Sequence, residues 1–112
     1  MSSGLVGIGY GRSMRVEMEM TQLSERELLK IGKAMAEPRR VKILQELGAA
    51  ADTRMACSAL VSVAEVSAST ATHHMQELEN AGLVEISRQG KFSFITFKRE
   101  KLVAYLEHLA RI

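Results

Sequence analysis

The stretch VSASTATHHMQELENAGLVEISRQGKFSFITF, residues 66–97, decides the fold. The spacing of its apolar residues changes once, from that of a helix to that of a strand. In the first half, Ser67 is a good helix N-cap, and apolar residues then recur four and three positions apart. These apolar positions are Ala71, Met75 and Leu78. After Gly82, apolar and polar residues alternate on both sides of Gly90, as in two strands joined by a tight turn. The stretch predicts an amphipathic helix through about Asn80 and then a β-hairpin.

Three shorter helical patterns precede this stretch. The first begins at Ser24, a good N-cap with a glutamate three residues later, and Pro38 both ends it and begins the second. We expect Gly48 to cap the end of the second helix. After a loop of small residues, Asp52 or Thr53 can cap a third helix. The inward positions predicted for the third helix are Met55, Ala59 and Leu60.

A last helical pattern follows the hairpin, in KLVAYLEHLARI at residues 101–112. Its apolar residues form a stripe wider than one small core requires. The apolar residues that the core does not cover indicate a binding partner. At the other end of the chain, residues 1–20 contain four glycines and no long periodic pattern. We therefore expect a flexible N-terminal arm before a single domain at residues 21–112.

Composition limits the class of protein. The 112 residues give room for one domain with one modest core. The net charge of +2 permits nucleic-acid binding, but it argues for such binding only where the charges cluster. No apolar run approaches the roughly 20 residues of a transmembrane helix, and the single cysteine, Cys57, suits a reducing compartment. We expect a cytoplasmic protein with no membrane partner.

The order of the predicted elements, α-α-α-α-β-β-α, is that of a winged helix-turn-helix. The predicted fold class is therefore mainly α with a small β-hairpin, and the surplus apolar stripe is available to a partner. In this fold one exposed helix enters the major groove of DNA, so it needs an apolar stripe to hold it and short polar side chains outside. The helix after Ser67 has both. The side chains that can exchange hydrogen bonds with base edges are Ser69, Thr70, Thr72 and His73.

Basic residues suited to phosphate contacts lie at two other places, which favours double-stranded DNA as the partner. At the hairpin turn, Arg88, Gln89 and Lys91 form a basic tip. This tip can follow the neighbouring DNA backbone. The start of the second helix adds Arg39 and Arg40. In addition, the free N–H groups of the helix that begins after Ser67 can bind a phosphate.

The segments EPRRVKIL at 37–44 and VSASTATHHMQELENAGLVEISRQGKFSFITF at 66–97 resemble the ArsR family of winged-helix repressors, over roughly residues 24–112. The resemblance implies a repressor that binds an inverted repeat as a homodimer. The DNA contacts predicted in this way are Ser67, Ala68, Ser69, Thr70, Thr72, His73, Arg88, Gln89 and Lys91. The dimer interface, from the first and last helices, is predicted to include Leu28, Ile31, Leu102, Tyr105, Leu106 and Leu109. Many relatives have glutamine where Ala68 stands, so one base contact is expected to be absent or moved.

The resemblance predicts no effector site. Metal-sensing members of the family often carry a Cys-x-Cys pair in the third helix, where both thiolates bind a soft metal. In this chain the two family cysteines fall on Ala56 and Ser58, with Cys57 between them. The last helix does not reproduce the ligand spacing of family members that sense zinc there. We therefore predict no metal and no cofactor, and the sequence identifies no effector ligand.

Alternative interpretations stay open from the residues alone. The winged fold can also serve protein interaction after loss of specific DNA binding, since Ala68 and the small net charge weaken the case for DNA. Adjacent His73 and His74 point about 100° apart on a helix. We favour the interpretation that His73 faces DNA and His74 packs against the helix or wing. The alternative is that both histidines are solvated or cap the helix. Cys57 is better interpreted as a small buried hydrophobe than as a redox sensor. An enzyme is not favoured, because no catalytic constellation is recognisable.

Overall fold

The computed structural model describes residues 22–112, so the arm predicted at 1–20 lies outside the described residues. This part of the chain forms five helices and a three-stranded antiparallel sheet. Their order is α1 (Glu25–Met35), α2 (Pro38–Ala49), β1 (Arg54–Ala56), α3 (Cys57–Ala64), α4 (Ala68–Asn80), β2 (Val84–Gln89), β3 (Phe92–Phe97) and α5 (Arg99–Ala110). The predicted winged helix-turn-helix order is confirmed. Among these helices, none is long and apolar enough to cross a membrane.

The helix starts follow from local hydrogen bonding. At α1, Ser24 Oγ accepts a hydrogen bond from the Glu27 N–H, and the Glu27 carboxylate accepts one from the Ser24 N–H. Pro38 occupies the first turn of α2, where its missing N–H leaves no helical bond unmade. At α4, Ser67 Oγ accepts a hydrogen bond from the Thr70 N–H. These predicted starts are confirmed.

A glycine follows the end of α4, whereas the glycine predicted to end α2 does not do so. Gly82 follows α4 with φ of +77°, a left-handed conformation that glycine adopts without a Cβ penalty. Gly48, predicted to end α2, instead lies within it, and its carbonyl accepts a hydrogen bond from Arg99 Nη2 at 3.2 Å. The chain leaves the helix at Ala50, which is extended. The prediction for Gly48 is therefore wrong.

The region before α3 is the main departure from the predicted elements. Asp52 and Thr53, expected to cap a helix, have φ of 58° and 52° and belong to a 3-10 turn at Ala51–Thr53. The next three residues pair with β3 as strand β1, with Met55 opposite Ile95. Helix α3 consequently begins only at Cys57. Of the inward positions predicted here, Leu60 is fully buried and Ala59 is exposed.

The core lies between the helices and the inner face of the sheet. Its largest fully buried side chains are Ile31, Ile43, Leu47, Leu60, Leu78, Leu83 and Ile95. Burial of these apolar side chains is the main favourable contribution to folding. Of the large apolar residues of strand β3 nearest the turn, Ile95 is fully buried, Phe94 is half-buried, and Phe92 is 62% exposed.

Candidate nucleic-acid interface

Helix α4 has one buried and one exposed face. Its buried residues are Ala71, His74, Met75 and Leu78. Because these positions recur three and four residues apart, the other side of the helix points to solvent. All the residues predicted to contact DNA at this end of α4 are exposed, namely Ser67, Ala68, Ser69, Thr70, Thr72 and His73. The structure brings them together on one surface.

The hydroxyl groups on this surface are partly engaged with one another. Ser67 Oγ donates to Thr70 Oγ1 at 3.0 Å, and Thr72 Oγ1 donates to the Ala68 carbonyl at 2.9 Å. Thr70 therefore keeps its own hydrogen to donate, while Thr72 keeps lone pairs to accept. The surface presents both donors and acceptors, which is what recognition of base edges requires.

Gln76 extends this surface by one helical turn and is absent from the predicted contacts. It is exposed, and it lies four residues after Thr72 and three after His73. Residues at these spacings are neighbours on a helix surface. The spacing was a signal available in the sequence, and a side-chain amide can both donate to and accept from a base.

The β-hairpin of β2 and β3, here called the wing, ends in an exposed basic tip. Gln89 pairs with Phe92, so Gly90 and Lys91 form a two-residue turn with glycine in the first position, at φ of +65°. Arg88, Gln89 and Lys91 are all exposed, as a phosphate-contacting tip requires. Nothing lies within 4 Å of the place that a Cβ on Gly90 would occupy, so the turn itself has open space around it.

A cavity of about 470 Å³ separates α4 from the wing. Thr72 and Gln76 line it from the helix, Arg88 lines it from the wing, and Cys57 reaches it from α3. Burial raises the pKa of the Cys57 thiol, and the charge of Arg88 only partly offsets this. The protonated thiol is therefore the form at neutral pH. Cys57 packs against the core but is half-buried, not buried as the sequence interpretation had it.

The two arginines at the start of α2 have different surroundings. The Arg39 side chain is 54% exposed, and its Nη1 forms an ion pair with Glu37 Oε1 at 3.8 Å. Arg40 turns inward: its Nε donates to the Ala34 carbonyl at 2.9 Å, and its Nη2 donates to the Lys33 carbonyl at 3.3 Å. Its Nη1 lies 3.5 Å from His74 Nδ1. These internal contacts occupy the guanidinium, so the structure does not support the predicted phosphate contact of Arg40.

The two adjacent histidines are placed as the favoured prediction had them. His73 is exposed on the outer face of α4, whereas His74 is 6% exposed and packs inward. Burial lowers the pKa of His74, and the positive charge of Arg40 lowers it further, while Glu37 acts in the opposite direction. His74 is consequently neutral at neutral pH. The role of His73 toward DNA stays a prediction.

Helices α1 and α5 lie side by side and carry an apolar surface. Lys101 Nζ donates to Glu27 Oε2 at 2.8 Å across the two helices, and this ion pair lowers the pKa of Glu27. The exposed large apolar residues of these helices and the C-terminus are Leu29, Val103, Leu106, Leu109 and Ile112. Two of them, Leu106 and Leu109, are among the predicted interface residues. The other three were not among the predicted interface residues, although Val103 and Ile112 belong to the apolar stripe whose width indicated a partner.

The other predicted interface residues are at least partly covered by their own chain. Leu28, Leu102 and Tyr105 are half-buried, and the last two pack against the core. Ile31 is completely buried, which corrects its assignment to the interface. Because Ile31 has no exposed surface in the monomer, it cannot contact a second copy of the chain. It belongs to the core of the monomer instead.

A family model described as a helix-turn-helix domain matches residues 35–87, from the end of α1 into strand β2. The chain is also similar to a cadmium resistance transcriptional regulatory protein, a CadC homolog of Staphylococcus aureus. The two are 24% identical over 93 residues, which are 83% of this chain and 75% of that protein. Among residues 22–112, however, no three histidine, cysteine, aspartate or glutamate side chains are grouped so that they could hold a metal ion.

Several solved structures have the same fold. An ArsR-like transcriptional regulator from Rhodococcus sp. RHA1 is 28% identical with a TM-score of 0.66, covering 77% of this chain and 78% of that one. A homodimeric winged helix-turn-helix DNA-binding domain from Mycobacterium bovis, described as a possible ArsR-family regulator, is 25% identical with a TM-score of 0.60, covering 80% and 87%. Reduced HlyU from Vibrio cholerae is 29% identical with a TM-score of 0.57, covering 76% and 88%.

Proposed function

We propose that this chain, which belongs to the ArsR family of winged helix-turn-helix transcriptional regulators, is a repressor that binds an inverted repeat in double-stranded DNA as a homodimer. One observation carries the proposal. The exposed polar face of α4 stands on a buried apolar stripe, beside an exposed basic wing tip. This is the arrangement that presents a helix to the major groove of DNA.

Helix α4 is the recognition helix in this proposal. Ser69, Thr72 and His73 meet base edges from its first two turns, and Gln76 extends the contact by one turn. The positive end of the helix dipole and the free N–H groups near Ser67 favour a phosphate at the N-terminus. Within the helix, the acidic residues Glu77 and Glu79 lie in the last turn, away from that end.

The wing supplies attraction that does not depend on sequence. Arg88 and Lys91 carry positive charge on an exposed turn, and such charges bind DNA by releasing its condensed counterions. Arg39 adds a third exposed positive charge at the start of α2. In this division of roles, the wing and Arg39 hold the duplex, while α4 selects the sequence.

Dimerisation through α1 and α5 is supported by the apolar side chains left exposed there. Leu29 and Leu106 are 64% and 54% exposed in the monomer, so a second copy would remove a substantial apolar area from water. The similar domain from Mycobacterium bovis is a homodimer. A twofold dimer would present two α4 helices to successive major grooves, about 34 Å apart, which matches an inverted repeat.

The DNA-binding proposal is tested by selection from a random double-stranded DNA library at about 150 mM salt, followed by sequencing of the bound fraction. We expect enrichment of one inverted repeat whose half-site centres are about one helical turn apart. Enrichment should be lost in the double variant Ser69→Ala, His73→Ala and retained in Glu46→Ala, a matched change at an exposed residue of α2. Recovery of random sequence only would contradict the proposal and point to a protein-interaction module.

The dimer is tested separately by analytical ultracentrifugation. Leu106→Lys places a charge in the proposed interface, whereas Ser58→Lys adds the same charge at an exposed position of α3. We expect the unchanged protein and Ser58→Lys to sediment as dimers and Leu106→Lys to dissociate at micromolar concentration. Monomeric unchanged protein would contradict the dimer and leave the DNA-binding proposal to the selection experiment.

A further inference from the structure

We infer that Arg40 is a positioning residue that ties the end of α1 to the recognition helix α4 and thereby fixes the angle at which α4 meets DNA. The inference rests on the proposed function, and it goes beyond it by giving a role to a residue that does not face DNA. The three contacts of its guanidinium carry the argument, because they join three helices at one point.

The first two contacts hold the end of α1. The last carbonyl groups of a helix have no partners within the helix. Arg40 Nε donates to the Ala34 carbonyl at 2.9 Å, and its Nη2 donates at 3.3 Å to the Lys33 carbonyl, which also accepts from the Ala36 N–H. A positive charge at this place also interacts favourably with the negative end of the helix dipole. Arg40 therefore fixes the position of the α1 C-terminus relative to α2.

The third contact reaches α4. His74 stands on the inner face of α4, one residue after His73 on the outer face, so holding the helix backbone at His74 also positions His73. Arginine can only donate, so the 3.5 Å contact requires an unprotonated His74 Nδ1 as acceptor. The charged groups acting on the His74 ring are Arg40, Glu37 and Arg39 of α2 and His73 of α4 itself. Lys33 of α1 and Glu77 of α4 line a neighbouring groove.

The geometry requires arginine and not merely a positive charge. A guanidinium presents donors in several fixed directions in one plane, so it can contact two carbonyl groups and a ring nitrogen together. A lysine ammonium is a compact charge at the end of a flexible chain and does not reproduce this planar fork. Arg40→Lys therefore keeps the charge and loses the positioning, whereas a phosphate contact would survive this substitution.

The salt dependence of DNA binding distinguishes these two roles. Affinity for the selected inverted repeat is measured across a salt series for Arg40→Lys and Arg40→Gln, with Arg39→Lys and Arg39→Gln as matched neighbours. We expect both Arg40 variants to bind about tenfold more weakly. The slope of log affinity against log salt concentration should stay that of the unchanged protein. Arg39→Gln should instead reduce the slope by about one, and Arg39→Lys should bind normally. Normal binding by Arg40→Lys, with a reduced slope in Arg40→Gln, would overturn the inference in favour of a phosphate contact.

A second measurement needs no DNA. Amide hydrogen exchange is followed in the first two turns of α4 for Arg40→Lys and Arg39→Lys under conditions where circular dichroism shows both to be folded. We expect faster exchange in Arg40→Lys only, because its α4 has lost a tether. Equal exchange in the two variants would overturn the inference. If the unchanged protein selects no DNA sequence, the proposed function fails, and the exchange result still decides whether Arg40 positions α4.

Discussion

The recognition helix and the wing tip serve the same proposed contact with DNA but are built in opposite ways. Helix α4 is held by a buried stripe that includes Ala71 and Leu78, and its polar side chains stand at fixed positions above that stripe. The wing tip, residues 88–91, is exposed throughout, and its turn at Gly90 has open space around it. Base recognition needs fixed donor and acceptor positions, whereas attraction between charges tolerates motion. The comparison predicts that changes in the two regions affect different measured quantities.

The largest effect should come from the buried stripe of α4. Leu78 is fully buried, so Leu78→Ala removes apolar contacts and leaves a cavity, which should cost about 2–5 kcal/mol of unfolding free energy. Urea denaturation measures this change. Gln76→Ala, an exposed neighbour on the same helix, should stay within about 0.5 kcal/mol. A similarly small change for Leu78→Ala would show that α4 is not held by the core, and the comparison would fail.

The exposed face of α4 should govern sequence preference. Ser69→Ala and His73→Ala should each reduce discrimination between the selected site and single-base variants of it by about 1–3 kcal/mol at the affected position. Competition titrations with these variant sites measure the change. Arg88→Ala should weaken binding to all sites alike. Equal, sequence-independent weakening by both kinds of substitution would remove the distinction between the two regions.

A smaller effect should follow from the burial of His74. Burial holds the pKa of His74 below its ordinary value of 6.5, so below that pH the unfolded chain takes up a proton that the folded chain resists. The unfolded state then binds more protons, and stability must fall as the pH falls. The contribution of the neutral ring to the unfolding free energy is fully present above pH 6.5. It is lost progressively as the pH falls from 6.5 to the lowered pKa of His74.

Urea denaturation between pH 7 and pH 5 measures this dependence. The unfolding free energy of the unchanged protein should decline over this range, and the decline should be shallower in His74→Gln. His73→Gln is the matched control, since His73 is exposed, and it should keep the full decline. Parallel pH curves for the unchanged protein and His74→Gln would contradict the link between burial and titration.

The sequence could predict the elements that form through local interactions, but not the element that forms through long-range pairing. The starts of α1 and α4 depend on hydrogen bonds between Ser24 or Ser67 and residues three positions away, and such local chemistry is legible in one sequence. Strand β1 depends on pairing with β3, about forty residues later, and nothing local in Arg54–Ala56 records it. Its absence from the prediction is therefore a consequence of long-range pairing.

Site residues divide along the same line. The exposed surface of α4 and the charged wing tip were predictable, because helical spacing separates the two faces and a tight turn exposes its residues. The inward turn of Arg40 and the complete burial of Ile31 were not, because both depend on which helices pack together. A run such as Arg39-Arg40 shows two positive charges, and only packing distinguishes the exposed one, which pairs with Glu37, from the one that turns inward.

The smallest effect on stability should come from the wing tip, and it sharpens the comparison most. Arg88→Ala and Lys91→Ala remove exposed side chains, so each should change the unfolding free energy by no more than about 0.5 kcal/mol. Each should nevertheless reduce the slope of binding against salt concentration by about one, since one phosphate contact is lost. Urea denaturation and a salt titration on the same protein samples measure both quantities. A destabilised Arg88→Ala would mean that the side chain packs over the cavity beside α4, so that the wing, like the helix, is held in place by its contacts.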